Sequence, residues 1–130
     1  LIIMGLLVFE PFRTEPPSPA VMVNNTKVST TQGSYCWSGI LSTKCVNPNY
    51  HPLDSPTSVS PGEEINIDFW KKPIEESLTV EQLLGKNNVT QIPIHNHIFV
   101  APKEKGLYLY NLTAFWNNGD GNYAFSIIVE

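Results

Sequence analysis

Glu64-Ile65-Asn66-Ile67-Asp68-Phe69-Trp70 decides the fold. Ile65, Ile67 and Phe69 fall on one side of an extended chain; Glu64, Asn66 and Asp68 fall on the other. A period of two residues is the mark of a strand with one face buried and one face wet. Just before it, Ser60-Pro61-Gly62-Glu63 is a turn signal, with proline presetting φ and glycine free to take the left-handed region.

Working outward, the same grammar recurs. Ala20 to Val23, Asn24-Asn25 and Thr26 to Thr30 read as a hairpin, because asparagine tolerates the positive φ that tight turns need. Gly33 to Trp37 reads as a strand with Tyr35 and Trp37 on one face and Cys36 on the other. Ser77 to Leu84 fits either a short strand or one capped helical turn. The strand is preferred, since so short a helix is marginal alone. Val89 to Val100 reads as one extended run with Thr90, Ile92 and Ile94 on a common face, and Pro93 marks it as an edge or a bulge. Leu107 to Trp116 is a long strand with Tyr108, Tyr110, Leu112 and Ala114 aligned. The Asn117 to Asn122 stretch is the strongest hairpin signal in the chain. Tyr123 to Val129 closes the fold, with Tyr123, Phe125, Ile127 and Val129 aligned. Between Cys45 and Pro56 no period is visible, and the segment reads as a long loop. The sum is an all-β sandwich of about seven to eight antiparallel strands over residues 20–130.

Composition agrees with that architecture. The chain of 130 residues suits one domain, and 15% charged residues with 11 prolines favour short strands and turns over long surface helices. The net charge of −4 comes without any basic block; Lys71-Lys72 is the densest basic pair. Nucleic-acid partners, which need a positive face, are therefore not expected.

The first residues differ from the rest. Leu1 to Phe9 is an uninterrupted apolar run, shorter than the roughly 20 residues that cross a bilayer. Its length matches a signal-peptide core or the end of a membrane anchor. A first strand or a helix docked on the domain is the competing reading. Pro11 to Pro19 reads as an extended, proline-stiffened linker, so residues 1–19 form one segment and residues 20–130 the domain. An anchor or signal remnant also implies a location outside the cytoplasm. There Cys36 and Cys45 are expected to form a disulfide instead of two free thiols.

Two stretches resemble known families. Ala101-Pro102-Lys103-Glu104-Lys105-Gly106-Leu107-Tyr108 is similar to the corner leading into the penultimate strand of immunoglobulin-like and fibronectin-like sandwiches. The resemblance implies that the Tyr108 hydroxyl bonds back to the corner backbone. Position 110 is Tyr and not Cys, so the inter-sheet disulfide of antibody domains is lacking. The order of Gly33-Ser34-Tyr35-Cys36-Trp37, Cys45, Ser60-Pro61-Gly62-Glu63 and the Gly106-x-Tyr108 corner resembles a family of uncharacterised secreted or membrane-attached proteins of Bacillus and related Firmicutes. That likeness implies an extracytoplasmic immunoglobulin-like domain and transfers no catalytic residue.

Candidate chemistry is sparse. His95 and His97, two apart on the extended run, would share a face and could reach one metal, with His51 as a third ligand. Solvated surface histidines are the plainer reading. No Gly-x-Ser-x-Gly elbow accompanies the serines. The carboxylates at Glu63-Glu64, Glu75-Glu76 and Asp120 sit on predicted edges and turns, and one carboxylate at Asp120 falls far short of a calcium shell. Asn24-Asn25-Thr26, Asn88-Val89-Thr90 and Asn111-Leu112-Thr113 are N-glycosylation sequons and are read as chance matches in an asparagine-rich chain. Among the aromatics, Trp37, Trp116 and Tyr35 suit a core. Trp70, beyond Phe69 and beside Lys71-Lys72, is the candidate for an exposed contact, with Tyr50 in the long loop. The expectation is a non-catalytic binding or structural module without a cofactor, its partner a protein or a cell-envelope component. The alternatives are a metal-binding domain using His95 and His97, and a small extracellular protease inhibitor presenting the Cys45 to Pro56 loop.

Overall fold

The computed structural model describes residues 16–39, 42–46, 56–83 and 88–130. Leu1 to Phe9, Tyr50 and His51 lie outside the described residues, as does most of the Cys45 to Pro56 segment. Among the described residues the chain is all-β, with two sheets packed as a sandwich. The strands are β1 (Pro19–Val23), β2 (Thr26–Val28), β3 (Thr31–Ser38), β4 (Thr43–Val46), β5 (Thr57–Val59), β6 (Glu64–Phe69), β7 (Thr79–Leu83), β8 (Val89–Ile92), β9 (Ile98–Val100), β10 (Gly106–Trp116) and β11 (Gly119–Val129). One sheet has the order β2-β1-β6-β9. The other runs β4-β3-β11-β10-β7-β8, with β5 also on β11.

Among the described residues eleven strands replace the expected seven or eight because short segments without an alternation of their own are recruited by neighbours. Thr57–Val59 is one such segment. It pairs with Ile127–Val129 in parallel, where only antiparallel pairs were expected. Cys45 and Val46 are another, belonging to β4 and not to a loop. The run from Val89 to Val100 is two strands in different sheets, since β8 pairs with β7 while β9 pairs with β6. Pro16, Pro17 and Pro19 are buried, and the Tyr123 hydroxyl donates to the Pro17 carbonyl at 2.5 Å. The packed unit thus begins before Ala20, and these prolines are not free linker.

The alternation of β6 is met in full: Ile65, Ile67 and Phe69 are buried and their neighbours exposed. β10 and β11 form one long hairpin from Gly106↔Val129 to Trp116↔Gly119, so the turn is only Asn117-Asn118. Gly119 is needed there. Its φ is +154°, and a Cβ would lie 1.8 Å from the Cys36 carbonyl oxygen. Between β3 and β11 the register slips by one residue, so Gly33 and Ser34 together face Asn122, a β-bulge.

Aromatic residues fill the interior in two groups. Trp116 meets Trp37 at 5.7 Å and Phe69 at 5.1 Å between ring centroids, both edge to face, and Tyr123 lies 6.0 Å from Phe69. Tyr110 meets Phe99 and Phe125, each at 5.2 Å. Such pairs add about 0.5–1.5 kcal/mol each beyond the area they bury. They join the sheets: Phe69 and Phe99 come from one, and Trp116, Tyr123, Tyr110 and Phe125 from the other.

Candidate functional site

Three places hold the residues the sequence singles out. The first is the β3–β4 edge. Inward Tyr35 and Trp37 turn Cys36 outward, and β4 sets Cys45 directly opposite it in the register. The two form a disulfide with their Cα atoms 4.1 Å apart. The Cys36 N–H donates to the Asp120 carboxylate at 2.9 Å, and Ser38 and Thr43 join their hydroxyls at 2.9 Å beyond the bridge. A shallow cleft of about 260 Å³ opens here, lined by Ser34, Tyr35, Cys36, Cys45, Val46 and Asp120. A disulfide marks an oxidising compartment. Among the described residues no helix is long and apolar enough to cross a membrane.

The second is the crossover from β6 to β7. Because Phe69 points inward, Trp70 turns out and is 58% exposed. The chain then lies along the end of β10. The Trp116 indole N–H donates to the Lys71 carbonyl at 3.0 Å, and the Ile74 N–H to the Phe115 carbonyl at 2.7 Å. Ser77 Oγ accepts from the Phe115 N–H and donates to the Phe115 carbonyl, both at 3.2 Å. Lys71 Nζ sits 6.0 Å from the Trp37 ring centroid, within cation–π range. This crossover leaves Ile74 48% and Phe115 46% exposed. Sequence reasoning found Trp70 and missed the other two. Phe115 was legible, since inward Ala114 and Trp116 force it outward. Ile74 carries no signal of its own; only the backbone bond to Phe115 gives it a place.

The third is the histidine pair, which is not on a strand. His95 and Ile98 exchange backbone bonds of 3.0 and 2.9 Å across Asn96 and His97, whose φ angles are 52° and 64°. Two positive φ values in a two-residue loop define a type I′ turn. The two histidines are therefore positions one and three of a turn, and the argument that they share a strand face does not apply. The His97 carbonyl accepts from Ile67 N–H at 2.9 Å, which ties the turn to β6. Among the described residues no group of three or more His, Cys, Asp or Glu side chains comes together as a metal site.

The carboxylates have structural partners. Glu63 accepts from the Asn24 side chain and from the Ser60 N–H, fastening the β5–β6 turn to the β1–β2 turn. Asp120 is engaged by Cys36, as described. Comparison of the chain with protein-family models, curated proteins and solved structures returns no match.

Proposed function

We propose that the chain is a non-catalytic binding or structural module of immunoglobulin-like build, acting outside the cytoplasm at a bacterial cell surface, secreted or membrane-anchored. Its partner is a protein or a cell-envelope component. The fold part of this reading is supported by strand positions. β6 and β9, with β1 beside β6, stand where the B, E and A strands of such domains stand. The order β11-β10-β7-β8 parallels the G-F-C-C′ order of such domains, which supports the reading. The Tyr108 hydroxyl donating to the Glu104 carbonyl supplies the corner expected at the start of F.

The binding part rests on one observation: three large apolar side chains, Trp70, Ile74 and Phe115, are exposed on a crossover and the strand it bonds to. Large exposed apolar residues on hydrogen-bonded backbone favour an interaction surface. Trp37 and Trp116 are buried, so acrylamide quenches chiefly Trp70. Added bacterial cell-wall fragments are expected to shield Trp70 from the quencher. The Ile74→Ser/Phe115→Ser variant, checked for native circular dichroism, is expected to lose that shielding. Equal shielding in both proteins, or none with either cell-wall fragments or purified surface proteins, would sink the reading.

A further inference from the structure

We propose that the Cys36–Cys45 disulfide is a reducible clamp that holds β4 on the edge of its sheet and is opened by exchange with a dithiol. Three observations carry this. First, both cysteines are exposed and both line the open cleft, so a thiolate has a route to the bridge. Exposed disulfides are the labile ones, and buried ones resist exchange. Second, besides its ladder to β3, β4 is tied by two bonds at its first end, between the Ser38 and Thr43 hydroxyls and from the Gly39 N–H to the Ser42 carbonyl. Among the described residues this four-residue strand pairs with β3 alone, exposes Thr43, Lys44 and Cys45, and packs only Val46 against the core. Third, β3 does not depend on β4. Its other side is paired with β11, the Asn118 side chain donates to the Ser38 carbonyl at 2.9 Å, and Tyr35 and Trp37 are buried in the interior. Losing β4 strips one edge and leaves the sandwich intact.

The exchange balances. One thiolate of the dithiol attacks a sulfur of the bridge, forming a mixed disulfide and expelling the other cysteine sulfur as a thiolate. The second thiol of the reagent then attacks its own sulfur in the mixed disulfide. The dithiol leaves as a cyclic disulfide, and its two protons end on Cys36 and Cys45. Reduction thereby uncovers the backbone edge of β3, a row of unpaired donors and acceptors of the kind that accepts an added strand.

Hydrogen exchange on the full chain, with and without dithiothreitol under native conditions, tests the clamp. Amides of residues 42–46 are expected to exchange at least ~tenfold faster after reduction, while those of Tyr110, Leu112, Phe125 and Ile127 keep their protection. The Cys36→Ser/Cys45→Ser variant is expected to fold and to reproduce the reduced pattern. Unchanged protection in 42–46 after confirmed reduction overturns the proposal. So does a loss of protection shared by β4 and the core, or a double-serine variant that fails to fold, because each makes the bridge a staple of the whole domain.

Discussion

The hydroxyl of Tyr108 donates a 2.8 Å hydrogen bond to the carbonyl oxygen of Glu104, four residues upstream, and so fixes the corner between β9 and β10. The bond is exposed, which limits its worth to the usual net value of a single hydrogen bond. Tyr108→Phe keeps the ring and removes the bond. It is expected to lower unfolding free energy by about 0.5–1.5 kcal/mol in urea titration, with an unchanged slope.

Tyr110 sets a limit at high pH. Burial, with a second contribution from neighbouring Tyr108, pushes its hydroxyl well above the ordinary value of 10.0. The folded state therefore keeps this proton after the unfolded chain has released it. Stability from this group is complete below the ordinary value and is lost as pH rises past it, at a rate approaching ~1.4 kcal/mol per pH unit. Urea titrations between pH 9 and 11 should show this fall, and Tyr110→Phe should make it shallower.

Gly119 cannot carry a side chain. A Cβ would overlap the Cys36 carbonyl oxygen at 1.8 Å, and the backbone φ of +154° is itself unfavourable for other residues. Gly119→Ala must separate β3 from β11 at the hairpin end. A loss of at least ~2–3 kcal/mol is expected from thermal or urea unfolding. A near-neutral result would mean that β3 yields at this end of the hairpin without cost to the sheet.

At the type I′ turn the effect has the opposite sign. His97 holds a φ of 64°, which a residue with a Cβ adopts only at a cost. His97→Gly creates the Asn-Gly pair that such turns favour and should raise the urea midpoint, by about 0.5–1 kcal/mol of stability. A decrease would show that the imidazole has a role the backbone does not reveal.

Much of the sandwich was legible because burial on one face writes itself as alternation. Ile65, Ile67 and Phe69, and Tyr110, Leu112 and Ala114, announce their strands with no help from the rest of the chain. The Cys36–Cys45 pair was expected from the oxidising location that the apolar first residues imply, and the Tyr108 corner from its resemblance to known sandwiches. What stayed hidden depends on distant partners. Thr57–Val59 is a strand only because Ile127–Val129 offers an edge. Asn96 and His97 form a turn between Ile94 and Phe99, both of which pack on the core. Thr57–Val59 is too short to show an alternation, and the even-numbered inward positions Ile92 and Ile94 give way to odd-numbered Phe99 across the turn, a change of phase that a reading of one continuous strand passes over. Ile74 at the exposed apolar crossover was invisible because only its backbone bond to Phe115 gives it a place.

One consequence follows from the pairing of β11, which bonds β10 along its whole length, β3 at its first half and β5 at its last three residues. A nascent chain leaving the ribosome presents β3 and β5 long before their common neighbour is made. The larger sheet cannot close until Val129 has been synthesised. Until that point the strands made earlier lack their ladder partner and are open to non-native pairing.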